Sequence, residues 1–298
     1  MEIPGLERPI HVEVAACSDV GRQRGENQDA FLLRAFRDGD DVAPSFVGQG
    51  ASVNAEPGAF SLGARGAVLA VADGMGGAAE GALASRMALE SFTEKLRGEW
   101  LARRVVTPQD FSEALHRSVD AANEQVYEAS RVPEREGMGT TFTAVGLLGT
   151  YAHLVQVGDS RAYLWRGGAL TQLTRDQSFV QELVDRGEMT REDAEKSEQR
   201  SVLLQALGVQ PSVSADLTWQ PLRRGDMVLI CSDGLHGVVD DGAIARWLSD
   251  DPEPGRVVAG LVESANRLGG PDNVTVVVAR VTGDGLPATG VGEEPRSV

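Results

Sequence analysis

The chain has 298 residues, 42% of them hydrophobic, enough to build one large core. With 28 basic against 44 acidic residues its net charge is −16, which speaks against nucleic acid or an anionic membrane surface as a partner, since both are bound through Lys and Arg. Surface carboxylate kept for solubility and carboxylates gathered around cations both fit this composition.

Residues 1–10 read as an N-terminal extension. Alternation of Val12, Val14 and Ala16 predicts a first strand from His11 to Cys17. Val14 to Cys17 has the look of a lipoprotein cleavage box, but Glu2, Glu7, Arg8, His11 and Glu13 leave no apolar leader before it. A polar segment, Ser18 to Asp29, precedes a short apolar run, Ala30 to Leu33. Residues 38–66, rich in Gly, Ala, Asp, Ser and Pro, read as an irregular surface insertion.

Val68 to Ala72 predicts a strand. Gly76-Gly77 opens a helix to about Arg97, and Thr107-Pro108 caps a second that ends near Arg131. Gly137 to Gly158 is uncharged and roughly as long as a membrane span. It is rich in Gly and Thr and breaks at Leu148-Gly149-Thr150, so two strands joined by a turn are predicted instead. A further strand is expected at Ala162 to Trp165, then short helices at Ser178 to Arg186 and Thr190 to Lys196. Met227 to Cys231 predicts another strand, Asp240 to Ser249 and Arg256 to Leu268 two helices, and Val274 to Val281 a last strand. Residues 282–298 lack an apolar pattern and are expected to be a disordered tail. Strand pairs alternating with helix pairs predict a single domain over residues 11–281, an α/β sandwich (α+β) rather than a doubly wound nucleotide fold. Cys17 and Cys231 have neither zinc nor disulfide spacing and flank apolar runs, which predicts buried thiols and a reducing, cytoplasmic setting.

Asp-Gly occurs at Asp38, Asp73, Asp233, Asp241 and Asp284, and any one of these reads as a turn. Asp73 and Asp233 differ because each directly follows a run of buried-strand type, as does Asp159. Asp272 stands just before the last strand. Antiparallel strands bring the end of one beside the start of the next, so all four carboxylates can share one rim. There they would repel one another unless cations neutralised them, and an oxygen-only donor set suits Mg²⁺ or Mn²⁺. Two such ions roughly 4 Å apart can clamp a phosphoryl group. Spacing alone also allows plain capped strand ends.

Six segments then resemble, in order, the motifs of bacterial type 2C (PPM family) serine/threonine protein phosphatases. They are Ser18 to Asp29 (SDVGRQRGENQD), Val71 to Gly77 (VADGMGG), Gly139-Thr140-Thr141, Gly158 to Arg161 (GDSR), Ser232 to Leu235 (SDGL) and Asp272 to Thr275 (DNVT). The resemblance implies two central antiparallel β-sheets flanked by helix pairs (αββα) and a flap over residues 177–207. It implies hydrolysis of phosphoserine and phosphothreonine in proteins by a water bridging two ions, Mn²⁺ or Mg²⁺. By the same resemblance Asp73 would bridge the two ions, the Gly74 carbonyl would bind the second, and Asp233 and Asp272 would complete the first. Asp159 with Asp233 would hold a weaker third. Arg24 would grip the substrate phosphate, and Asp29, with Asp19, would orient metal-bound water. Phosphoproteins, a serine/threonine kinase and its substrates are the implied partners of a monomeric enzyme.

The sequence departs from the family pattern at Gln28, often Glu, at Gln177, usually His, and at Ser197 to Ser201, which lacks the usual His-Pro. These changes are expected to alter metal affinity, substrate choice or flap order. A silent phosphoprotein-binding regulator and a hydrolase of small phosphate esters are the competing readings. All of Asp73, Asp233 and Asp272 being present weighs against the first, and the lack of a small-ligand pocket signature against the second.

Overall fold

Two sheets, each with an apolar stripe on both of its faces, set the architecture. The structure is a computed structural model that describes residues 8–36, 45–50, 52–103 and 107–290. Its strands are β1 (His11–Asp19), β2 (Asp29–Ala35), β3 (Ser45–Gly48), β4 (Ser52–Ser61), β5 (Ala67–Met75), β6 (Gly139–Thr140), β7 (Phe142–Leu148) and β8 (Tyr151–Val157). They continue with β9 (Arg161–Arg166), β10 (Ala169–Gln172), β11 (Asp216–Pro221), β12 (Met227–Cys231) and β13 (Val274–Thr282). The helices are α1 (Ala78–Leu101), α2 (Pro108–Ser130), α3 (Phe179–Asp185), α4 (Arg191–Lys196), α5 (Asp233–His236), α6 (Asp241–Asp250) and α7 (Pro254–Arg267). One sheet runs β10-β9-β12-β13-β1-β4 and the other β11-β8-β7-β5-β2-β3, with β6 beside the end of β5.

Side-chain alternation along each strand divides the core into three layers. In β5, Ala67, Leu69 and Val71 face the opposite sheet, whereas Val68, Ala70 and Ala72 pack under α1 and α2 with Leu89, Phe92, Phe111 and Phe142. In β13, Val277, Ala279 and Val281 point between the sheets, while Val274, Val276 and Val278 meet Leu261 and Ala265 of α7. Both faces of the central strands are therefore buried, which is why they read as continuous apolar runs instead of alternating ones. The expected αββα sandwich is what forms.

Three expectations need correction. The insertion at 38–66 is not an irregular excursion. Its described part supplies edge strands to both sheets, β3 pairing β2 and β4 pairing β1 along most of its length. Edge strands bury little, so apolar periodicity does not reveal them; residues 37–44 lie outside the described part. The tail expected from residue 282 does not begin there. Thr282 ends β13, Leu286 is buried between the sheets, and the Arg224 amide donates to the Pro287 carbonyl; residues 291–298 lie outside the described part. Residues 1–7 of the N-terminal extension lie outside the described part, but its last residues join the same packing, since Ile10 is buried and the Gly285 amide donates to the Pro9 carbonyl. Strands β10 and β11 were also missed, both half-buried and at sheet edges.

Candidate metal centre

One rim of the sandwich collects the acidic residues because antiparallel neighbours end and begin together there. Asp29, at the start of β2, lies directly across from Asp73 near the end of β5. Asp19 at the end of β1 faces Val274 at the start of β13, two residues after Asp272. Asp159 follows β8, and Asp233 follows β12 as the first residue of α5.

The Asp73 peptide is fixed by the third motif. Its amide donates to Thr141 Oγ1 at 3.0 Å, and its carbonyl accepts from the Thr141 amide at 2.8 Å and from Thr140 Oγ1 at 2.9 Å. Glycine at 74 and 234 answers close approach: a Cβ on Gly74 would lie 2.0 Å from the Gly81 carbonyl oxygen, and one on Gly234 1.9 Å from that of Asn273. These contacts fit the first turn of α1 against β5 and that of α5 against the start of β13.

Asp29 is fully buried; Oδ2 accepts from Ser232 Oγ at 2.7 Å, and Oδ1 has no partner among the described residues. Burial, then the Asp233 and Asp272 charges, push its carboxyl up to about 7. Asp73 and Asp233 keep some surface open to the cleft, but the protein around them strips away enough water to raise both. Asp73 stands well above the ordinary carboxylate range, with the Asp29 and Asp233 charges adding to loss of water. Asp233 reaches about 6, with Asp272 adding to loss of water, and its Oδ1 is buried without a partner among the described residues. Asp159 is also well above the ordinary range, through burial and then Asp233.

Arg24, with 51% of its side chain exposed, donates from Nη2 to Asp272 Oδ2 at 2.7 Å. That bond, with the nearby Asp233 and Asp73 charges, holds the guanidinium at the mouth of the cluster and raises its pKa. Asp272 Oδ1 accepts the Asn273 amide. Asp19 is not turned to the cluster: its Oδ1 accepts from the Gly21 amide and Asn266 Nδ2, a turn-closing role. Gln28 donates from Nε2 to the Gly77 carbonyl, so the amide in place of a carboxylate ties the loop to the start of α1.

The sequence did not single out the buried polar residues that hold this rim. Asn273 donates to the Val20 and Glu26 carbonyls and accepts the Gln28 amide, which staples the first-motif loop down. Ser18, Asn27, Ser232 and Thr275 form a chain of hydrogen bonds of 2.7–3.0 Å behind Asp29. The available signal was polar residues at the ends of otherwise apolar strands. Gln177 brackets Gly158, donating its amide to that carbonyl and accepting that amide on Oε1, and its Nε2 reaches Asp216. The segment 177–207, expected above to be a flap, thus starts from the turn that carries Asp159. A cavity of about 470 Å³ separates flap from rim, with Asp159, Asp233 and Asp272 on one side and Val180, Arg191 and Arg200 on the other.

Raised carboxyls, buried oxygens of Asp29 and Asp233 that have no partner among the described residues, and an all-oxygen donor set fit a hard divalent cation. Among the described residues no three His, Cys, Asp or Glu side chains are grouped closely enough to hold a metal ion by themselves. Mg²⁺ is commonly bound through one or two carboxylates and keeps several waters.

The chain is similar in sequence and fold to known proteins. Residues 56–256 match the family Protein phosphatase 2C. The chain is 42% identical over 219 residues to the serine/threonine protein phosphatase PstP of Mycobacterium tuberculosis, covering 72% of this chain and 40% of that protein. A crystal structure of the Mycobacterium tuberculosis phosphatase PstP/Ppp superposes with a TM-score of 0.72 at 36% identity, over 91% of this chain and 98% of that one. A structure of the PstP catalytic domain in complex with two manganese ions gives 0.71 at 35% identity, over 92% and 99%. The chain belongs to the protein phosphatase 2C family. It spans 40% of the length of the mycobacterial protein, and what it matches there in solved structures is the catalytic domain.

Proposed function

We propose that this chain hydrolyses phosphoserine and phosphothreonine in proteins with the help of Mn²⁺ or Mg²⁺. The observation that carries the reading is the rim at which Asp73, Asp233 and Asp272 lie near Arg24 with Asp159 beside Asp233, the carboxyls of Asp73, Asp159 and Asp233 being raised by burial and mutual repulsion. Asp73, Asp233 and Asp272, with the Gly74 carbonyl, would hold two core ions, and Asp159 with Asp233 a weaker third. Ions bound there polarise phosphoryl oxygens and lower the pKa of water.

The chain's own residues supply the rest. Arg24 spends one N–H on Asp272 and keeps the others at the cleft mouth, where a phosphate can accept them. Asp29 lies one strand behind Asp73, and its unused Oδ1 can accept from water at the site while Ser232 holds Oδ2. Neither cysteine takes part, since both are buried and burial raises their thiols, Cys17 to about 11. Substrates would be proteins phosphorylated by a serine/threonine kinase. We further propose that the chain works as a monomer in the cytoplasm; no described helix is long and apolar enough to cross a membrane.

Phosphate release from a phosphothreonine peptide, compared in EDTA, Mg²⁺ and Mn²⁺, tests the reading. Turnover with Mn²⁺ that vanishes in EDTA supports it. Folded protein that binds Mn²⁺ yet releases no phosphate in any metal would favour a silent phosphoprotein-binding regulator.

A further inference from the structure

The ladder between β9 and β12 has its last pair at Arg161 and Cys231. Asp159 and Asp233 each lie two residues beyond that pair, where no backbone ladder fixes their separation. Among the described residues one hydrogen bond joins the two turns there: His236 Nε2 donates to the Asp159 carbonyl oxygen at 3.1 Å. His236 is the last residue of α5, the single helical turn that Asp233 begins, and the Gly237 amide donates to the Asp233 carbonyl at 2.7 Å. The His236 backbone is therefore fixed within the same helical turn as Asp233. From the other side, Gln177 pins Gly158 through both its main chain and its side-chain amide. His236 also lines the cavity between flap and rim, beside both carboxylates.

We propose that His236 is a positioning residue: its bond to the Asp159 carbonyl sets the spacing of Asp159 and Asp233, and so the affinity for the cation they share. This inference rests on the proposed function, in which that pair holds the weakest of the ions. A partner that orients a ligand from outside the coordination sphere commonly alters metal affinity about 10- to 100-fold when removed. The His236→Leu variant keeps apolar bulk but loses the donor, whereas His236→Gln keeps an N–H.

The test is Mn²⁺ titration of the full chain, with free Mn²⁺ read by electron paramagnetic resonance, for wild type, His236→Leu, His236→Gln and Asp159→Asn. Thermal melts check folding. The expected result is weakening of the last-filling ion about 10-fold or more in His236→Leu, little change in the tighter ions, and recovery of most of the affinity in His236→Gln. An unchanged His236→Leu isotherm, beside loss of the weakest ion in Asp159→Asn, would overturn the role of His236 and leave the metal assignment standing. An unchanged isotherm in Asp159→Asn would overturn the third site and this inference with it. Equal weakening of every ion in both His236 variants, with a collapsed melt, would show that His236 only packs.

Discussion

Carboxylates that are costly to bury charged are the feature from which chemistry at this rim follows. An amide at position 73 removes one of the mutually repelling charges. Asp73→Asn is therefore expected to lower turnover by about 10³-fold or more while raising the melting temperature of the metal-free protein. Phosphate-release kinetics and calorimetry on the same sample check both halves, and near-normal turnover would sink the metal assignment. The pH dependence has a definite sign. Carboxyls raised above an unfolded value of about 4 favour folding at low pH, and that contribution is lost as pH rises through the folded value. Those values are about 6 for Asp233 and about 7 for Asp29, so metal-free protein should lose stability across that window. Saturating Mn²⁺ should flatten the decline, and Asp29→Asn should reduce it, which separates this effect from general repulsion among surface carboxylates. Arg24→Ala should raise KM for a phosphopeptide more than it lowers kcat, because the guanidinium sits at the mouth of the cluster. An unchanged KM would point to another phosphate anchor.

Elements differ in how firmly they hold their residues. Helix α2 starts from a reciprocal capping box in which Thr107 and Asp110 each satisfy the other's backbone amide. Thr107→Ala should cost about 1 kcal/mol in urea unfolding. The flap helices α3 and α4 bury only Val180 and Ala194 among their residues, whereas α2 buries eight. Amide exchange is expected to be faster in α3 and α4 than in α1 and α2, consistent with a segment that opens locally beside the cleft. Uniform protection across all four would show a flap as rigid as the core. The segment after β13 was legible neither as structure nor as core, because one apolar residue in a Gly-rich stretch makes no pattern. Leu286 nonetheless packs between the sheets, so Leu286→Ala should cost about 2 kcal/mol or more, whereas a solvated tail would show no loss.

At the scale of the whole molecule, sandwich and site are one construction: the strands that build the core end at the rim where the carboxylates meet. The sequence by itself determined the central strands and the long helices, since buried strands need unbroken apolar runs and caps mark helix starts at Thr107-Pro108. It also determined which aspartates stand at strand ends, because Asp73, Asp159, Asp233 and Asp272 each adjoin such a run. Only the tertiary structure decided what surrounds them. Pairing of Asp29 with Asp73, the bond from Arg24 to Asp272 and the staple from Asn273 to residues 20–28 join positions as many as 257 residues apart, counting the Ser18–Thr275 bond behind them. No local propensity encodes contacts over such separations, nor the burial that moves a carboxyl from acid to near neutrality. Edge strands β3, β4, β10 and β11 were likewise decided in three dimensions, because a half-exposed strand takes its conformation from a neighbour's free hydrogen-bonding edge and not from its own apolar pattern.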